Sequence, residues 1–115
     1  MSSYPATHNY AFYQGDTIRR SLRWANAGVP VDLAGYTARI QVRRHIDAAE
    51  VALELTTDAG ITLGEAGSIT FTVDAPATKA LAPWVYAYSL ELTSSGGEVT
   101  TLIRGGFEIT QEVTR

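Results

Sequence analysis

Trp84-Val85-Tyr86-Ala87-Tyr88-Ser89-Leu90-Glu91-Leu92-Thr93 alternates large apolar or aromatic residues with small or polar ones along its whole length. Successive side chains of an extended strand point to opposite faces. Trp84, Tyr86, Tyr88, Leu90 and Leu92 therefore share one face, and Val85, Ala87, Ser89, Glu91 and Thr93 share the other. A helix would scatter the same residues around its axis. The alternation predicts a strand with one face packed on a second layer and the other near water.

The same period recurs outward from this segment. Tyr36 to Arg44 sets Tyr36, Ala38, Ile40 and Val42 against Thr37, Arg39, Gln41 and Arg43. Val51, Leu53 and Leu55 alternate with Ala52, Glu54 and Thr56, and Ile69, Phe71 and Val73 with Ser68, Thr70 and Thr72. His8 to Gln14 and Thr17 to Trp24 read as two further strands, and in the second Ile18, Leu22 and Trp24 share a face with Arg20. Ile61 to Leu63 is a short edge segment, and Val99 to Arg104 and Phe107 to Val113 flank Gly105-Gly106. Turn chemistry separates these runs at Gly15-Asp16, Asn26-Ala27-Gly28, Asp58-Ala59-Gly60 and Ser95-Gly96-Gly97.

Asp74 to Leu81 is the one helical turn the sequence predicts, with Asp74 placed to cap the first amides and Pro76 at an early helical position. About seven to nine short strands with one helical turn near 75–82 make an all-β, immunoglobulin-like sandwich the expected fold. An open-edged barrel is the competing arrangement. The helical turn followed by Leu81-x-x-Trp84-x-Tyr86-x-Tyr88 is similar to the corner before the sixth strand of immunoglobulin-like sandwiches. There a tyrosine near the strand start bonds the corner backbone, a part open to Tyr86 or Tyr88.

Composition narrows the function classes. At 115 residues, 45% hydrophobic and 18% charged, the chain suits one globular domain over residues 1–115, with 1–7 a polar N-terminal arm. No apolar run approaches the roughly 20 residues that span a bilayer, and Met1 to His8 has no secretory pattern, so no membrane partner is expected. With no Cys, a disulfide framework, a Cys-based zinc site and a thiol nucleophile are all excluded. A net charge of −3 argues against general nucleic-acid binding.

The candidates for chemistry are few. His8 and His45 lie at no metal-ligand spacing, and Asp16, Asp32, Asp47, Asp58 and Asp74 sit beside turns, where Asp bonds the local backbone. No Gly-x-Ser-x-Gly elbow, phosphate-binding glycine loop or His-Glu-x-x-His is present, so no catalytic residue, metal or cofactor is expected. Arginine is the notable residue type. Eight of the nine basic residues are Arg, and Arg19, Arg20, Arg23, Arg39, Arg43 and Arg44 fall on two candidate strands. If those strands are neighbours, Arg19, Arg23, Arg39 and Arg43 form an outward basic stripe suited to a protein contact. The alternative is a solvated face balanced by Glu54 and Glu91. Tyr4 and Tyr13 complete the candidate interface set, and Tyr4, Tyr10, Tyr13 or Trp24 would serve if the chain instead bound host glycans.

Gln14-Gly15-Asp16-Thr17, Val31-Asp32-Leu33-Ala34-Gly35-Tyr36-Thr37-Ala38-Arg39-Ile40-Gln41-Val42-Arg43, Gly60-Ile61-Thr62-Leu63, Tyr86-x-Tyr88-x-Leu90-x-Leu92 and Arg104-Gly105-Gly106-Phe107-Glu108-Ile109, with Val113-Thr114-Arg115, follow one another in a telling order. This order resembles the immunoglobulin-like N-terminal domain of bacteriophage upper baseplate and fibre-attachment proteins. The resemblance implies a virion structural protein of the tail, baseplate or fibre attachment, assembled in the bacterial host cytoplasm. It also implies several copies of the chain or a homo-oligomer, other virion proteins as partners, and no catalytic residues. A head or neck decoration protein is the alternative location.

Overall fold

The computed structural model describes residues 5–114. In chain order its strands are β1 (Ala6–Thr7), β2 (Tyr10–Tyr13), β3 (Ile18–Arg23), β4 (Ala25–Asn26), β5 (Val29–Pro30), β6 (Thr37–Arg43), β7 (Leu53–Thr57), β8 (Gly60–Leu63), β9 (Ser68–Val73), β10 (Trp84–Thr93) and β11 (Val99–Thr110). A helical turn, α1 (Ala75–Lys79), precedes β10, and a 3-10 turn covers Glu65–Gly67. Tyr4 and the rest of 1–4 lie outside the described residues, as does Arg115.

β10 lies inside one continuous sheet, antiparallel to β11 on one side and to β6 on the other. The sheet runs β1-β11-β10-β6-β7-β8-β9-β3, with β2 also joining β11, and it curls so that its two halves share a core. Between β7 and β8 the chain turns through Asp58 (φ 67) and Gly60 (φ 107), where the pairing passes from one half to the other. Tyr10 of β2 meets Phe71 of β9 edge-on across the interior, ring centroids 5.5 Å apart. The result is the expected immunoglobulin-like sandwich, with β6, β7, β10 and β11 on one side and β3, β8 and β9 on the other.

The corner before β10 is built as its sequence suggests. Asp74 accepts a hydrogen bond from the Ala77 amide at 3.2 Å, and α1 ends after a single turn. The Tyr86 hydroxyl donates to the Ala82 carbonyl at 2.6 Å, so Tyr86 fills the corner role. Tyr88 does something else: its hydroxyl donates to the His8 carbonyl, also at 2.6 Å, tying the central strand to the link between β1 and β2.

Two expectations need correction. Trp84 shares the alternation of β10 but is 46% exposed, because it opens the strand ahead of the pairing with β6, which begins at Ala87. Its ring is covered by the Arg44 guanidinium, 4.2 Å from the centroid, and its Nε1 donates to the Arg44 carbonyl at 3.0 Å. Gly105-Gly106 is not a break either. β11 runs unbroken through it, and the glycines admit the incoming chain: a Cβ at Gly105 would run into the His8 carbonyl. Asn9 seals the approach by accepting the Gly106 amide at 2.8 Å. The real irregularity of β11 lies earlier. Its register with β10 shifts between Leu90 and Glu91, so consecutive Leu102 and Ile103 are both buried, as at a bulge.

Leu90 is fully buried at the centre of this core. Leu90→Ala is expected to lower unfolding free energy by about 2–5 kcal/mol, the range for emptying a packed leucine site. A denaturation series giving under about 1 kcal/mol would contradict that placement. Gly105→Ala is expected to destabilise by about 1–3 kcal/mol through overpacking, measured the same way.

Candidate functional site

The candidate arginines divide between two separate faces. Arg19 and Arg23 point outward from β3, which pairs only with β9 among the described residues, so one of its edges carries no strand. Arg39 and Arg43 point outward from β6. Three strands, β7, β8 and β9, separate β6 from β3, and the two pairs form no common stripe.

Their bonding differs as much as their position. Arg43 donates from Nη1 to the carbonyls of Ala48 (2.9 Å) and Ala49 (3.0 Å), and from Nη2 to Gln41 Oε1 at 2.9 Å. It therefore braces the loop between β6 and β7 instead of offering itself to a partner. Gln41 turns its amide nitrogen to Glu54 at 2.7 Å, and Arg39 Nε lies 3.9 Å from the same carboxylate. That face is the balanced one, with Glu54 as the local counter-charge. Arg20 lies over the Phe12 ring at 4.9 Å and donates to the Arg19 carbonyl at 2.9 Å. This partly covers the β3 edge, a common protection for exposed strands. Arg19 and Arg23 remain exposed.

Among the aromatics considered for ligand contact, Trp24 is 7% exposed and packs edge-on against Tyr36. Tyr10 stacks on Phe12 with centroids 5.6 Å apart. Burial raises its phenol pKa above the ordinary value, and the Arg20 charge opposes the rise. Only Tyr13, 52% exposed at the end of β2, presents an open ring from that set within the described residues.

The histidines stay separate. His8 leans on Tyr10, while His45 Nδ1 lies 2.8 Å from Asp47 Oδ1. The hydrogen bond to His45 holds the Asp47 carboxyl below its usual range, helped by its own backbone and by the histidine charge. Among the described residues no cluster of three or more His, Cys, Asp or Glu side chains converges to hold a metal. No helix there is long and apolar enough to cross a membrane.

One surface escaped the sequence pattern. On the outer side of β6, β10 and β11 lies a shallow hollow of about 500 Å³, lined by Gln41, Arg43, Ile46, Ala87, Ser89 and Arg104 among others. Ile46, 79% exposed, belongs to a loop without periodicity, and Arg104 follows the bulge that breaks the alternation of β11. The small residues of β10, Ala87 and Ser89, were the only advance sign of it.

The fold and its surfaces define an immunoglobulin-like β-sandwich whose arginines serve partly as internal braces. Comparison with protein-family models finds no match, and comparison with curated proteins finds none. Among solved structures, CopC from Methylosinus trichosporium OB3b is similar at 17% identity, over 98% of this chain and 90% of that one, with a TM-score of 0.46. Extracellular domains 3–5 of Drosophila OTK are similar at 12% identity and a TM-score of 0.41. There 93% of this chain is covered but only 33% of the fly chain, about a third of its length.

Arg43→Ala is expected to cost about 1–2 kcal/mol through lost charged hydrogen bonds and to speed proteolysis between residues 44 and 52. Arg23→Ala, on an open face, should stay within about 0.5 kcal/mol of wild type.

A third prediction concerns pH. Burial, with Tyr10 adding to it, holds the Tyr88 phenol well above the ordinary tyrosine pKa. Above about pH 10 the unfolded chain releases this proton while the folded chain keeps it, so stability falls as pH rises. Tyr88→Phe should be less stable at neutral pH by about 0.5–1.5 kcal/mol, having lost the bond to His8, and should show a shallower alkaline decline. Denaturation midpoints across the alkaline range test this, and an unchanged slope would contradict it.

Proposed function

We propose that this chain is a non-enzymatic structural component of a bacteriophage virion, an assembly or adaptor module of the tail, baseplate or fibre attachment. The observation that supports this most is the ordered set of sequence segments, three of which fall on joints of the fold. Gln14 donates to the carbonyls of Lys79 and Leu81, and the Asp16 carbonyl accepts the buried Thr78 hydroxyl at 2.6 Å, so the first segment clasps the corner before β10. Asp32 accepts the Ala34 amide and Gly35 turns at φ 80, so the second launches β6. The last carries the glycines that admit the β1–β2 link against β11.

In this reading function resides in outward surfaces, and the arginines not used internally are the first of them. Arg19 and Arg23 stand on β3 beside a strand edge, a place suited to an acidic neighbouring protein. The same mechanism would serve a decoration protein at the head or neck, and the position of the chain in the particle separates the two.

Mass spectrometry and electron microscopy of purified particles test the proposal. The chain is expected at a fixed multiple-copy ratio to the tail proteins, and its absence from particles would overturn the reading. Arg19→Glu combined with Arg23→Glu should leave the monomer fold within about 0.5 kcal/mol and cut incorporation at least tenfold.

A further inference from the structure

We propose that the outer face of β6, β10 and β11 is a self-association surface, on which two copies of the chain pack around a two-fold axis running between β10 and β6. The proposal concerns the isolated chain and stands apart from the virion reading.

The argument begins with pairing register. Ser89 of β10 lies opposite Arg104 of β11 on one side and Gln41 of β6 on the other, and Gln41 lies opposite Glu54 of β7. Across the face this row reads cation, small residue, amide, carboxylate. A half-turn about the line between β10 and β6 exchanges its two ends. Arg104 of each copy then lies over the Gln41–Glu54 pair of the other, and the contact is made twice. Such a face complements itself, which is what a two-fold contact requires. Arg104 is also an exposed guanidinium on this face, whereas Arg43 is committed to its own loop.

Shape agrees with charge. The next row is Gly106, Ala87 and Arg43, and Gly106, Ala87 and Ser89 give the middle of the face side chains too small to keep a second sheet away. At the β6 side of the hollow stands Ile46, 79% exposed, and at the β11 side lies Gly105. The half-turn that pairs Arg104 with Glu54 also carries each Ile46 toward the glycine side of the other copy. Val85, 62% exposed on β10 beside this row, adds apolar area close to the axis. Glu91, the acid that β10 itself contributes, has Arg39 opposite it in register.

Sedimentation velocity over a hundredfold range of protein concentration tests the idea. The wild-type chain should shift from one to two chains per particle as concentration rises. Ile46→Asp or Arg104→Glu should weaken that step at least tenfold, and Arg104→Glu with Glu54→Arg should recover it. Arg19→Glu with Arg23→Glu, on the other face, should leave it unchanged.

Because the sequence has no cysteine, a second measurement is independent of charge. Ser89→Cys should be captured as a dimer by a short bis-maleimide, and Thr62→Cys on exposed β8 should not. A single-chain mass at every concentration would overturn the proposal. So would dimers that Ile46→Asp leaves intact, or equal capture through Cys introduced at positions 62 and 89.

Discussion

The arrangement rests on two phenol hydroxyls carried by alternate residues of one strand. Tyr86 and Tyr88 put their rings into the core from the inner face of β10, and a buried hydroxyl without a partner costs more than the ring gains by hydrogen bonding. Tyr86 finds its partner at Ala82, four residues back, which fixes how the chain enters β10. Tyr88 finds its partner at His8, eighty positions away in sequence, which fixes where the first strands meet the sheet. One local bond and one distant bond thus secure both ends of the chain path to the central strand.

The distant bond imposes a condition on β11. The His8 amide donates to the Arg104 carbonyl at 3.0 Å while its own carbonyl faces Tyr88, so the backbone there lies against β11 with no room for a Cβ. Gly105 answers that constraint. Asn9 then closes the gap on the Gly106 amide. The bulge at Leu102–Ile103 lets β11 bury two neighbours in succession before resuming its alternation through Phe107 and Ile109. The glycine pair and the bulge together explain how a twelve-residue strand serves three partners, β10, β1 and β2.

The same economy divides the surface arginines into two kinds. Arg43 and Arg20 reach back to main-chain carbonyls, and Arg39 sits beside Glu54, so these groups hold the molecule's own loops and edges. Arg19, Arg23 and Arg104 lie exposed on opposite halves of the sandwich. A basic residue count therefore overstates the surface available to partners. The faces proposed for contact are those where the guanidinium is not already used and the neighbouring side chains are small or the strand edge open.

The sequence by itself determined the local pieces: the strand at Trp84–Thr93, the capped turn after Asp74, the alternation of β6 and β9, and a tyrosine set to close a corner. Each of these depends on period or on residues a few positions apart, and period is visible in one dimension. It left undecided which tyrosine closed the corner, because both occupy the same phase. It placed Trp84 in the core because alternation says which way a side chain points and nothing about where the pairing with β6 begins. It treated Gly105-Gly106 as a gap because a glycine demanded by a distant carbonyl looks the same as one demanded by a turn. Only the tertiary structure decided that β6 and β3 lie three strands apart, that Arg43 is a brace, and that Ile46 overlooks a floor of Ala87 and Ser89. Strand order and loop position are set by contacts between residues far apart in the chain, and no window of sequence contains them.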